Sequence, residues 1–157
     1  MLRLSKKADY ALIAMKHLAV KGGAQRGSTL PVNSVAASAR EIAEQYDIPV
    51  ELMAKVLQRL VRTGLLVSTQ GTRGGYTLSR AAKSISVADV IQAIDGPLTV
   101  TACSTEKNDC EQYNKCSIRD SLWQIRERIA AALATVTLSE MAAGSEMASP
   151  VAVVRRA

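Results

Sequence analysis

Apolar residues at Leu4, Ala8, Ala11, Leu12, Met15, Leu18 and Ala19 recur at spacings of three and four, the period of one helix face. The spacing predicts an amphipathic helix from about Ser5 to Val20, ended by Gly22 and Gly23. Residues 22–37 are rich in Gly, Ser, Ala and Asn and read as a flexible insertion, longer than the usual connection between helices. Ser38 with Glu41 has the spacing of a capping box, in which each side chain satisfies a free backbone N–H. It opens a short helix through Ile42, Ala43 and Tyr46. A turn at Asp47, Ile48 and Pro49 leads to a helix from Val50 to Thr63, with Met53, Val56, Leu57 and Leu60 facing inward and Gly64 as its stop. The opposite face carries Glu51, Lys55, Gln58, Arg59 and Arg62.

Two short apolar runs follow, at 65–68 and 76–78, joined by Thr69, Gln70, Gly71, Thr72, Arg73, Gly74 and Gly75. They predict a β-hairpin with a glycine-rich tip. A helix-turn-helix followed directly by a hairpin is a winged helix. The polar helix face then suits a major groove, and Arg73 on the wing suits a minor groove or a phosphate. The expected DNA contacts are Lys55, Gln58, Arg59, Arg62, Gln70, Thr72 and Arg73. A solvated helix face is the plainer reading of the cations taken alone, and it is the wing beside them that favours double-stranded DNA.

Ser86 with Asp89 announces another helix, through Val90, Ile91 and Ile94 to Gly96-Pro97. Leu122, Ile125, Ile129, Ala132, Leu133 and Val136 then define a long amphipathic helix from about Arg119 to Thr135, and Thr137 with Glu140 a last helical turn. Small DNA readers commonly bind two-fold operators as dimers, so the long helix is the expected homodimer interface, or else completes the core of its own chain. The fold class expected is mainly α with a small β wing: a winged helix-turn-helix plus a C-terminal dimerisation helix. The divisions are 1–97 for DNA binding, 98–118 for a cysteine loop, 119–143 for dimerisation and 144–157 for a disordered tail.

Composition sharpens this picture at three points. Aromatic residues make up 3% of the chain and Phe is absent, so the core must come from Leu, Ile, Val, Ala and Met. Residues 1–100 hold thirteen Lys and Arg against seven acids, whereas 101–157 hold seven of each. The net charge of +6 therefore belongs to the N-terminal part, which is expected to meet phosphate. No apolar run reaches the roughly 18–20 residues that span a bilayer, and the N-terminus lacks the pattern of a signal peptide. The expectation is a cytoplasmic protein that does not enter membranes. With one His, no Ser-His-Asp set and no phosphate loop, an enzyme is not expected.

All three cysteines, Cys103, Cys110 and Cys116, fall within fourteen positions in a Cys-x6-Cys-x5-Cys loop that also holds Asp109, Glu111 and Lys115. In a reducing compartment an odd set is no disulfide framework, and shared metal binding or redox sensing is the better reading. Structural zinc sites commonly use Cys-x2-Cys knuckles, which are missing here. Wider loops suit an iron–sulfur cluster, whose irons accept a ligand other than cysteine. Three thiolates can fill three corners of a cubane, so 4Fe-4S is favoured over 2Fe-2S.

Several stretches together resemble one family: Leu4-Ser5-Lys6 with Asp9-Tyr10-Ala11-Leu12, Glu41-Ile42-Ala43, Leu57-Gln58-Arg59-Leu60, Arg73-Gly74-Gly75-Tyr76, Val87-Ala88-Asp89-Val90-Ile91, and the cysteine loop leading into Leu122-Trp123. These are similar to the Rrf-two family of bacterial regulators, over about residues 1–141. The resemblance implies a homodimeric winged-helix regulator with a cluster near its dimerisation helix. Members that govern iron–sulfur biogenesis carry a His three residues after the last cysteine. Here that position is Arg119, a poor ligand because it stays protonated. Members that sense nitric oxide use a carboxylate near the start of the first helix, and Asp9 matches it. Asp9 is therefore the expected fourth ligand, and His17 a surface or core residue. The function implied is cluster-dependent regulation, with repression of iron–sulfur assembly (SUF- or ISC-type) genes ahead of nitric oxide or redox sensing. From another class, a zinc-stabilised DNA-binding or scaffold protein without a sensing role is the alternative.

Overall fold

A computed structural model describes residues 4–23, 36–72, 74–99 and 111–144. Helix α1 (Lys6–Gly23) turns inward a stripe of Ala8, Ala11, Ala14 and Ala19 with Met15 and Leu18, all buried. Side chains this small let neighbouring backbones approach closely. Accordingly α1 packs against α3 (Val50–Arg62), α4 (Val87–Asp95) and α6 (Leu138–Ala143) together. Contrary to expectation, α1 continues through Gly22 and Gly23. Glycine costs a helix about 1 kcal/mol relative to Ala, and tertiary anchoring offsets it: the Lys21 ammonium donates to Ala36 O at 3.2 Å and pairs with Glu41. Most of the expected insertion lies outside the described residues.

Helix α2 (Ala39–Gln45) starts at Ser38, whose Oγ accepts the Glu41 N–H at 3.1 Å. The capping box expected there is half made, because the Glu41 carboxylate pairs with Lys21 of α1 instead of reaching back. The boxes at Ser86/Asp89 and Thr137/Glu140 are complete, opening α4 and α6. Helix α3 buries Met53, Val56, Leu57 and Leu60 and ends at Gly64, whose φ of 77° only glycine adopts readily. There the Leu65 N–H donates to Leu60 O at 3.0 Å. That bond spends Leu65 on terminating the helix, so β1 (Leu66–Thr69) begins one residue later than the sequence pattern indicates.

Strand β1 pairs antiparallel with β2 (Gly75–Leu78), Leu66 opposite Leu78 and Thr69 opposite Gly75. A single bridge adds Ala37 beside Tyr76. The main core joins α1 to α4, β1 and Leu138, and each fully buried Leu, Ile or Met in it contributes roughly 1.5–3 kcal/mol.

Helix α5 (Arg119–Thr135) has the expected bounds but buries none of its residues. Ile118, Trp123, Ile125 and Val136 are 41–59% exposed. The chain returns from α5 to the head, the unit of α1–α4, the hairpin and α6, through the Ser86–Thr137 bridge, where Val87 N–H donates to Val136 O and Leu138 N–H to Ile85 O, both at 2.9 Å. Among the described residues no helix is long and apolar enough to cross a membrane. Residues 145–157, where the tail is expected, lie outside the described set.

Candidate nucleic-acid interface and cysteine loop

The turn between α2 and α3 is fixed by backbone geometry. Asp47 takes the left-handed conformation, φ 52°, which short polar side chains tolerate, and Ile48 N–H donates to Ala43 O at 2.9 Å. Pro49 O accepts the N–H groups of Leu52 and Met53, starting α3 at once. With its apolar face buried, α3 presents Glu51, Lys55, Gln58, Arg59 and Arg62 to solvent. Four of the expected DNA contacts thus share one exposed face. Gln70 and Thr72 are exposed at the wing tip, while Arg73 lies outside the described residues.

Arg59 does more than face solvent. Its Nε donates to Ala93 O of α4 at 3.1 Å, so the guanidinium is held at the base of the helix face and its remaining N–H groups point from a fixed root. A donor held in this way loses less freedom when it binds phosphate or a guanine edge.

Of the expected metal ligands, Cys116 is a free, half-buried thiol just after a single helical turn (Tyr113–Lys115) and shortly before α5. Asp9 is exposed on the first turn of α1. Cys103 and Cys110 lie outside the described residues. Arg119, three residues after the last cysteine, pairs with Asp120 at 3.1 Å.

Three contacts near these sites have weak sequence signals. Ser5 receives Asp95 at the start of α1: Asp95 accepts the Ser5 N–H at 3.1 Å and its hydroxyl at 2.5 Å, while Ser5 Oγ caps the Ala8 N–H at 3.1 Å. Ser at an N-cap position was the only hint. Arg126 of α5 donates from Nε to Leu98 O at 2.9 Å and lies over the Trp123 ring, 5.1 Å from its centroid. His17 is a largely buried residue of α1. Its Nδ1 is 3.3 Å from the Tyr46 hydroxyl and its Nε2 3.8 Å from the Glu41 carboxylate. Burial lowers the imidazole below its ordinary 6.5 although Glu41 pulls it upward, and the hydrogen bond from Lys21 holds Glu41 below its ordinary 4.5.

Comparison with known proteins agrees with this geometry. The Rrf2 family, described as an iron-dependent transcriptional regulator, matches residues 4–144. The HTH-type transcriptional regulator IscR of Klebsiella pneumoniae strain 342 is 32% identical over 147 residues, which cover 93% of this chain and 83% of that protein. Among solved structures, CymR, the global cysteine regulator of B. subtilis, superposes with a TM-score of 0.70 at 26% identity, covering 91% of this chain and 98% of that one. IscR of T. potens gives 0.69 at 26% identity, covering 96% and 93%. These relatives are transcriptional regulators and not enzymes. By its winged helix, and by a family match running from the first helix to the last, the chain belongs to the Rrf2 family of DNA-binding transcriptional regulators.

Proposed function

We propose that this protein is an iron–sulfur cluster-dependent regulator that acts in the cytoplasm, binds its operator as a homodimer and represses iron–sulfur assembly genes of the SUF or ISC type. The reading is carried by the position of the thiols, between α4 and α5 of a chain whose relatives include regulators named IscR. The donor chemistry fits the group. Cys116 carries a free and partly accessible thiol on a polar loop, and thiolates are the ligands such clusters take. Cys103, Cys110 and Cys116 would hold three irons of a 4Fe-4S cluster, with Asp9 as a harder fourth ligand. When bound, such a cluster would supply a centre reactive toward oxygen and nitric oxide.

Around it, the protein's own residues carry the reading of DNA. Lys55, Gln58, Arg59 and Arg62 meet the major groove, and Gln70, Thr72 and Arg73 the wing contact. The exposed apolar residues of α5, Trp123 and Ile125 among them, form the dimer interface, since one chain leaves them in water. Asp9 favours nitric oxide as the second reading, because its position matches the carboxylate of nitric-oxide-sensing members.

Anaerobic purification tests the proposal. The protein should be brown, contain iron and sulfide, lose its visible absorbance with oxygen or nitric oxide, and change its affinity for an assembly-gene promoter as the cluster is lost. A colourless zinc protein with unaltered DNA binding would overturn it.

A further inference from the structure

Helix α4, like any α-helix, leaves its last carbonyls without intrahelical donors, and at Ala93 the sequence makes this unavoidable. The Ala93 C=O would accept from the N–H four residues on, but that residue is Pro97, which has none. The last regular bond of the helix is Gly96 N–H to Gln92 O, 3.0 Å. Arg59 of α3 supplies the missing donor, its Nε 3.1 Å from Ala93 O. A guanidinium at a helix C-terminus is also favoured by the helix dipole. Helix α3 is therefore bonded through Arg59 to a carbonyl at the end of α4 that Pro97 cannot serve.

The same short stretch takes two more ties. Asp95 holds the Ser5 N–H and hydroxyl at the start of α1, one turn before Asp9. Leu98 O accepts Arg126 Nε from α5. Three helices converge on residues 93–98, and the next part of the chain carries the first two cysteines.

We propose that residues 93–98 are the joint through which the state of the cysteine loop reaches the recognition helix, with Arg59 as its positioning residue. This rests on the cluster-dependent reading above. A pull on Leu98, or on α1 through Asp9, changes the setting of the last turn of α4. Arg59, bonded to that turn, carries the change into the face that meets DNA. Its second role is distinct from any DNA contact of its own. Losing a contact weakens the cluster-loaded and cluster-free forms alike and keeps their affinity ratio. Losing the joint brings the ratio toward one.

The experiment compares DNA dissociation constants of loaded and cluster-free protein for the parent, Arg59→Met and Asp95→Ala. Allosteric ratios commonly fall between about 5- and 150-fold. In both variants the ratio should collapse at least fivefold, or to unity, whatever happens to absolute affinity. A parental ratio in both overturns the joint. A parental ratio of one with the cluster fully loaded overturns cluster-dependent sensing instead, and hydrogen exchange on the cluster-free protein then decides the joint by itself. There, Arg59→Met should speed exchange at the Ala8 and Asp9 amides of α1, across the joint from the substitution. Unchanged exchange at those amides overturns the proposal irrespective of the cluster.

Discussion

Ala37 and Tyr76 exchange both of their backbone hydrogen bonds, at 3.1 and 2.9 Å, so the residue that leads into α2 runs as a one-residue third strand along the wing. Gly75 makes this approach possible. Its φ is 154°, and a Cβ there would lie 2.7 Å from Ala37 O and 2.9 Å from its carbonyl carbon. Backbone on the far side cannot swing away as a side chain can. Gly75→Ala should therefore cost about 1–3 kcal/mol, seen as a lower urea midpoint. Gly71→Ala, whose Cβ would meet nothing within 4 Å, should lose less. Equal losses at the two positions would refute the close approach.

Leu138 is fully buried in the head although it follows the long excursion of α5. Leu138→Ala should destabilise the protein by about 2–5 kcal/mol, measured by chemical denaturation. A loss under about 1 kcal/mol would mean that α6 is not an integral part of the head.

His17 sets a pH dependence. Because burial places its folded value below the ordinary 6.5, the unfolded chain takes up the proton first as pH falls. The stability present above pH 6.5 then declines as pH drops through 6.5 toward the folded value. Glu41, also lowered, adds a separate loss below its ordinary 4.5. His17 is the only histidine, so the urea midpoint should fall between about pH 7.5 and pH 5.5, and His17→Gln should flatten most of that fall. A variant as pH-sensitive as the parent would assign the effect elsewhere.

On α3, Lys55→Ala and Arg62→Ala should weaken promoter binding without unfolding the protein, since both side chains are exposed. Each phosphate contact removed lowers the salt slope by about one unit, and a base contact costs about 1–3 kcal/mol. Salt titration of the dissociation constant separates the two. Parental affinity and slope in the double variant would move the DNA to another face.

Single Cys→Ala changes at Cys103, Cys110 and Cys116 should each yield protein with little cluster iron, because an iron is left under-coordinated. Asp9→Ala should still assemble a cluster on three thiolates but lose it faster in air. Iron and sulfide analysis with the decay of visible absorbance provides the check. Full cluster content in any cysteine variant would remove that residue from the site.

The helix-turn-helix, the hairpin and the bounds of α5 were legible because each is written locally, in apolar spacing, caps and glycines. Local signals failed where two parts of the chain compete for one group. Glu41 has capping-box spacing, yet Lys21 from α1 takes its carboxylate. Gly22 and Gly23 have the composition of a stop, yet the anchoring of Lys21 carries the helix through them. Pro97 was legible as the end of α4, but that Arg59 would serve the carbonyl it orphans depends on which helices pack together. The same holds for Ser5 with Asp95 and for His17 with Tyr46. For the candidate metal site, residue type and spacing carry the argument, with Cys116 and Asp9 located on the fold and Cys103 and Cys110 outside the described residues.

The return of the chain at the Ser86–Thr137 bridge has a consequence for biosynthesis. Helix α1 leaves the ribosome before α6, with an alanine face that meets this partner only after residue 138 has been made. Contacts between such distant segments form late and slow folding. The core around α1 is thus closed only after α5 has been synthesised, so the packing of the first described helix waits on the last one.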